Sequence, residues 1–192
     1  MTEQARSTAN RDGAEPESLW IQQIAQGDRD AFEKLYKAYA PGLFRYLFSM
    51  VGDAGAAEEL TNDVMVAAWK GAASFRGESR ASTWLFGIAH HKALNELRRK
   101  QPVTVDVEKA IEVAAAGEGP EEVVQRRSVE QSVRGALQQL SPEHRAVVEL
   151  TFYQGLSYEE IAGIMQCPVN TVKTRMFYAR KKLQEVLGKE AL

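Results

Sequence analysis

Residues 157–187, SYEEIAGIMQCPVNTVKTRMFYARKKLQEVL, read as two helices joined by a tight turn. Ser157 is an N-cap residue, and Glu160 three positions later completes a capping box, in which side chains and backbone amides satisfy one another. Ile161, Ile164 and Met165 then fall on one face at helical spacing. Pro168 is excluded from a helix interior, so the first helix ends at about Gln166 or Cys167. A second helix runs from about Asn170, with Val172, Met176, Ala179, Leu183 and Val186 or Leu187 as its apolar stripe. Lys173, Arg175, Arg180, Lys181 and Lys182 occupy its other faces. A short capped helix, a turn and a longer basic helix make a helix-turn-helix, whose second helix enters the major groove of DNA.

Basic residues at helical spacing are also what a solvated helix face looks like. Here the positive charge is local: from Pro168 to Leu192 six basic residues face two acidic ones, a net of +4 in a chain whose total is −2. That concentration is the footprint of a phosphate-contacting surface. The near-neutral total excludes a protein that coats nucleic acid indiscriminately.

Outward from this segment, Ser141 caps a preceding helix through Val147, Val148 and Leu150 to Phe152, with Gly155 as its stop. Before it, Val129, Val133, Leu137 and Leu140 repeat at helical spacing from Ser128. Gln101 to Glu130 differs in character, with Gly117, Gly119 and Pro120 and seven acids against three bases. It reads as an acidic, flexible linker with a helical end near Glu121.

Upstream of the linker, SFRGESRASTWLFGIAHHKALNELRRKQ is a short polar loop leading into a helix from about Ala81 to Lys100. Trp84, Leu85, Ile88, Ala89, Leu94 and Leu97 form its apolar side. Arg80, His91, Lys92, Asn95, Arg98, Arg99 and Lys100 remain on the polar side, with Phe75, Phe86 and His90 nearby. Cations interleaved with aromatics suit melted nucleic acid, because bases stack on rings while the backbone meets positive charge. A loop bearing Phe75, Arg76 and Ser79 can line a pocket for an extruded base. A capped helix whose basic end faces water is the plainer alternative. AAEELTNDVMVAAWKGAASF, further upstream, buries Ala57, Leu60, Val64, Ala67 and Ala68 and presents Glu58, Glu59, Asn62 and Asp63. That acidic face is either a solvated surface near a positive helix end or a dock for a basic partner.

Towards the start, Asp28 opens a helix with Phe32, Leu35, Tyr36 and Tyr39 as its stripe, and Pro41 marks a break or the first turn of another. Leu43, Phe44, Leu47, Phe48 and Val51 continue to Gly52, and these aromatics read as core. Ser18 caps a short helix with Leu19, Trp20, Ile21 and Ile24, stopped at Gly27; Met1 to Pro16 is polar and aperiodic, a disordered start. The expected fold class is all-α: two small helical domains joined by a flexible linker, the second with the helix-turn-helix. The boundaries are 1–16 for the N-terminus, 17–100 for the first domain, 101–127 for the linker and 128–192 for the second domain. No apolar run approaches the ~20 residues that cross a bilayer, no signal-like segment opens the chain, and direct membrane insertion is not expected. Cys167 is the single cysteine, so an internal disulfide is impossible and a reducing cytoplasm is the expected home.

Taken together, AEELTNDVMVAAW, SFRGESRASTWLFGIAHHKALNELRRK and LSPEHRAVVELTFYQGLSYEEIAGIMQCPVNTVKTRMFYARKKL, in that order, resemble sigma factors of the sigma-70 family. The similarity is to the small extracytoplasmic-function type and covers about Ser18 to Leu187. It implies that 17–100 is sigma region 2 and 128–192 is sigma region 4, without the large middle domain of housekeeping members. By resemblance, Glu59, Asn62 and Asp63 meet the clamp coiled coil of core RNA polymerase, whose flap is a further contact. Phe75, Arg76 and Ser79 match the loop that captures a flipped base of the −10 element, and His91, Asn95, Arg98 and Arg99 the helix against that element. Lys173, Thr174, Arg175, Phe177, Tyr178, Arg180 and Lys181 match the helix that reads the −35 element. His91 stands where members often carry asparagine, and Tyr178 where a basic residue is common. The resemblance implies promoter DNA and core polymerase as partners, and a cognate anti-sigma factor, in some cases membrane-bound. It implies neither catalysis nor a cofactor.

Two other readings compete. An ordinary helix-turn-helix regulator binds duplex DNA without polymerase and has no use for the basic-aromatic helix at Ala81 to Lys100. A metal-dependent hydrolase using His90, His91 and His144 fails on spacing: adjacent histidines cannot share a helix face, and neither His-Glu-x-x-His nor a cysteine cluster occurs. Cys167 as a redox switch competes with a small buried residue in a tight turn.

Overall fold

The computed structural model describes residues 16–100 and 132–190. Eight α-helices carry these residues: α1 (Pro16–Ala25), α2 (Arg29–Val51), α3 (Ala54–Gly71), α4 (Ala81–Lys100), α5 (132–138), α6 (Pro142–Phe152), α7 (Tyr158–Met165) and α8 (Val169–Glu190). A 3-10 turn, Ala72–Ser74, follows α3. No strand occurs among the described residues, and none of their helices is long and apolar enough to cross a membrane. The expectations for the N-terminal tail and for the linker, with its helical end near Glu121, lie outside the described residues.

Local chemistry sets the helix ends. Asp28 accepts from the Asp30 and Ala31 amides at the start of α2, and Asp53 from the Ala56 amide at the start of α3. Gly27, Gly52, Gly77 and Gly155 take positive φ where the chain turns between elements, a conformation open to glycine without steric penalty. Ser18 lies inside α1, which begins at Pro16, so it is no cap. Pro41 likewise breaks nothing, because α2 runs through it. The ring removes the donor to the Lys37 carbonyl, but both residues are exposed, so water can replace the lost bond.

In the first domain, α1 to α4 close on Ile21, Leu35, Leu43, Tyr46, Leu47, Met65 and Leu85, all at most 1% exposed. In the second, α5 to α8 close on Leu137, Val147, Leu150, Ile161, Val172 and Met176. The two cores are continuous, forming one cluster of buried side chains from Ile21 to Ala179. Contact between the domains runs along two seams, α4 against α7 and α2 against α6. Two expected core aromatics differ: Tyr36 and Phe44 are 38% and 37% exposed, because the α2 face they occupy borders an open groove against α3.

Candidate nucleic-acid interface

The helix-turn-helix forms as its sequence dictates. The Glu160 amide donates to Ser157 Oγ at 3.2 Å and the Ser157 amide to Glu160 Oε2 at 2.8 Å, closing the capping box of α7. Gln166 takes a left-handed conformation (φ 50°) at the C-cap, and Pro168 precedes α8. Val172, Met176, Ala179 and Val186 seat α8 on the domain. At 100° per residue this turns Thr174, Phe177, Tyr178 and Lys181 outward, with Lys173 and Arg180 on one shoulder. Phe177 and Tyr178 are 64% and 53% exposed, an open apolar edge on a basic helix. Their rings meet edge to face at 5.4 Å. Arg175 stands apart from the outward set: it is half-buried, its Nη1 lies 3.7 Å from Cys167 Sγ, and its charge helps hold the Glu143 carboxyl below its usual range. Cys167 is half-buried rather than enclosed.

The candidate strand-binding residues lie on α4 and the loop before it. Arg80, His91, Asn95 and Arg98 share one helical face, all exposed, while Arg99 sits on another and pairs with Glu96 at 3.0 Å. Arg76 and Ser79 are exposed in the loop, with Arg76 3.6 Å from Glu78. Phe75 is half-buried against Trp84, ring centroids 5.1 Å apart and ring planes tilted by 46°, so its ring already packs against a neighbour within the protein. Phe86 and His90, expected near the polar side, are 2% and 3% exposed. They surround Tyr46, whose hydroxyl lies 2.8 Å from His90 Nδ1 and whose ring meets Phe86 edge-on at 5.7 Å. Both belong to the core and are unavailable for base stacking.

The acidic face of α3 is exposed at Glu58, Glu59, Asn62 and Asp63. Two of these are held from neighbouring helices: the Tyr36 hydroxyl donates to Asn62 Oδ1 at 3.1 Å and Lys92 Nζ to Asp63 Oδ2 at 3.1 Å. Beside them, Tyr36, Pro41, Phe44, Glu58 and Asn62 line the groove of about 520 Å³ between α2 and α3.

Residues 35–103 match the model of Sigma-70 region 2 and residues 130–183 that of Sigma-70, region 4. The RNA polymerase sigma-H factor of Pseudomonas aeruginosa is 33% identical over 184 residues, 90% of this chain and 94% of that protein. The chain belongs to the sigma-70 family. Its kinship with the extracytoplasmic-function type is seen in the ECF RNA polymerase sigma-E factor of Escherichia coli strain K12, 32% identical over 177 residues, 87% of this chain and 92% of that one. Among solved structures, the sigma factor RpoE of Bartonella quintana, crystallised with the anti-sigma factor NepR, superposes with a TM-score of 0.66 at 28% identity, covering 82% of this chain and 96% of that chain. The chain is thus an extracytoplasmic-function sigma factor, a transcription initiation factor of two helical units, and the ordinary-regulator alternative finds no support in these relatives.

Sequence reasoning missed the residues that join the sigma factor's two units. Arg145, 6% exposed, donates to the Leu137, Gln138 and Leu140 carbonyls of its own domain at 2.8–3.0 Å. It also donates to the Ser49 and Met50 carbonyls at the end of α2, at 2.8 and 3.3 Å. One turn further, burial pushes up the pKa of Glu149, against the opposing pull of Ser49, Arg45 and Arg145. The i, i+4 spacing of Arg145 and Glu149 is a weak signal for this pair, since most such pairs lie on a surface.

Proposed function

We propose that this sigma factor directs core RNA polymerase to specific promoters and aids promoter melting, with the labour divided between residues 17–100 and residues 128–192. The exposed face of α8 reads the duplex −35 element: Thr174, Phe177 and Tyr178 reach base edges, while Lys173, Arg180 and Lys181 meet phosphates. Arg175 contributes by fixing the turn to α8 through its contact with Cys167. Arg76, Ser79, His91, Asn95, Arg98 and Arg99 hold the −10 strand, with Phe75 and Trp84 forming the wall of a base pocket rather than a free stacking platform.

Core polymerase docks on Glu59, Asn62 and Asp63, and the neighbouring groove with its exposed Tyr36 and Phe44 takes an apolar side chain of the same partner. The factor contributes specificity and strand capture; the polymerase performs the chemistry in the cytoplasm. An anti-sigma factor covers these surfaces when the factor is idle, a reading that leans on the complex formed by the Bartonella relative. The observation that supports the whole best is the order of region 2 and region 4 matches along one chain, each falling on the helical unit with the matching exposed face. Promoter-dependent transcription by purified core polymerase, with and without this protein, is the test.

A further inference from the structure

We infer that His144 of α6 extends the duplex-reading surface beyond α8, its imidazole donating to a phosphate of the DNA strand that passes Tyr178. The inference rests on the proposed reading of duplex by α8 and adds a contact from a different helix. His144 stands in the first turn of α6, where its amide donates to the capping Ser141 Oγ at 3.4 Å. Its side chain is half-buried, and its ring lies 6.5 Å from that of Tyr178, centroid to centroid, with planes tilted by 40°. Tyr178 is exposed on the outward face of α8, so the histidine borders an open surface and not the core.

The two flanks of α8 differ in charge. A helix in the major groove, about 12 Å wide, has a sugar-phosphate backbone on either side. At about 100° per residue, Phe177 and Tyr178 mark the two sides of the outward face. Lys173, Arg180 and Lys181 lie towards Phe177, and all three are exposed. Towards Tyr178, Lys182 follows one turn later and is exposed, whereas Arg175, one turn earlier, is half-buried with Nη1 3.7 Å from Cys167 Sγ. Against the cost of its own burial, hydrogen bonds at the α6 cap and the charges of Arg175 and His144 hold the Glu143 carboxyl below its usual range. Arg175 is thus engaged within the protein, and His144 supplies a donor on the flank that has fewer free cations.

A ring that only packed against Tyr178 would fix the tyrosine without meeting DNA, and charge separates the two roles. A histidine ring becomes a cation as pH falls from 8 to 6, and a cation on a phosphate releases a counterion. The charged groups around this ring are Glu143 of its own helix and Arg175 and Lys182 of α8. Carboxylate, guanidinium and ammonium groups keep their charge across that range, so the change in slope reports the imidazole.

The test titrates the full chain with a short fluorescent DNA duplex of mixed sequence, at pH 6 and pH 8 over a range of salt. His144→Phe keeps a ring against Tyr178 but has neither donor nor charge. For the wild type, the slope of log K against log salt is expected to steepen by roughly 0.5–0.9 from pH 8 to pH 6, with affinity at low salt rising about fivefold. His144→Phe is expected to lose both changes and to bind several-fold more weakly at pH 6, with unchanged helix content by circular dichroism. The same pH response in wild type and His144→Phe overturns the phosphate contact. If His144→Phe loses helix content, His144→Gln, which keeps a donor without the charge, is read by the same titration. Lys181→Ala tests the underlying reading: duplex affinity that it leaves unchanged overturns reading by α8, whereas a loss there with no effect of His144→Phe overturns the histidine contact alone.

Discussion

The Tyr46 hydroxyl and His90 Nδ1 lie 2.8 Å apart in the core of the first domain, joining α2 to α4 where neither side chain reaches water. Burial raises the tyrosine pKa, so the phenol stays protonated, and an imidazole that accepts from it at Nδ1 carries its own proton on Nε2. Burial, with the nearby charges of His91 and Arg175, pushes the His90 pKa down to about 4. The unfolded ring takes up a proton near pH 6.5 and the folded ring near 4, so between these values the unfolded chain binds more protons. This contribution is complete above pH 6.5 and is lost as pH falls towards 4, amounting to about 3 kcal/mol across the window. His90→Asn keeps an acceptor for Tyr46 but cannot titrate. Its urea stability is therefore expected to fall less between pH 7 and 5 than that of the wild type; equal slopes contradict the assignment.

Removing Arg145 leaves five carbonyl contacts without their donor, three of them buried and two part-buried. Arg145→Ala is expected to destabilise the protein by roughly 3–5 kcal/mol, the scale for deleting one member of a buried charged network. Loss below 1 kcal/mol in chemical denaturation would show that water replaces the guanidinium readily.

On α8, Lys181 and Phe177 serve different purposes in the proposed complex. Lys181→Ala is expected to weaken duplex binding uniformly across sequences and to lower the slope of log K against log salt by about 1. Phe177→Ala is expected to weaken binding to the preferred site by about 1 kcal/mol while leaving the salt slope alone. Exchange of these two signatures would reverse the roles.

Asp63 is exposed yet paired with Lys92. Asp63→Arg sets like charges side by side and presents a cation to a basic partner, so co-purification with core polymerase is expected to fall a hundredfold or more, a scale of several kcal/mol. Lys92→Ala, which releases the carboxylate, is expected to retain polymerase. Circular dichroism of both variants guards against misfolding, and retained binding by the charge reversal contradicts the docking face.

Much of this architecture is legible from local chemistry. The capping box at Ser157 and Glu160, the stop at Pro168 and the stripe from Val172 to Val186 depend on neighbours in sequence, and each appears where the spacing puts it. What sequence hides depends on contacts between distant helices. Ser18 resembles a cap until Pro16 is found to start the helix, and Pro41 resembles a break until its exposed position lets water replace the missing bond. Phe86 and His90 look like parts of a basic-aromatic surface, but Tyr46, 44 residues before His90, draws them into the core. Arg145 carries no sequence signal for its role across the domains, because two of the carbonyls it serves lie on α2, 95 and 96 residues earlier.

This chain confers promoter specificity on a polymerase that lacks it. Purified core RNA polymerase, transcribing a library of promoter fragments with and without the protein, tests it most directly. Transcripts are expected only when both are present, with start sites preceded by two shared elements near −10 and −35. Duplex binding by the protein alone, with no protein-dependent transcript from any fragment, would contradict it.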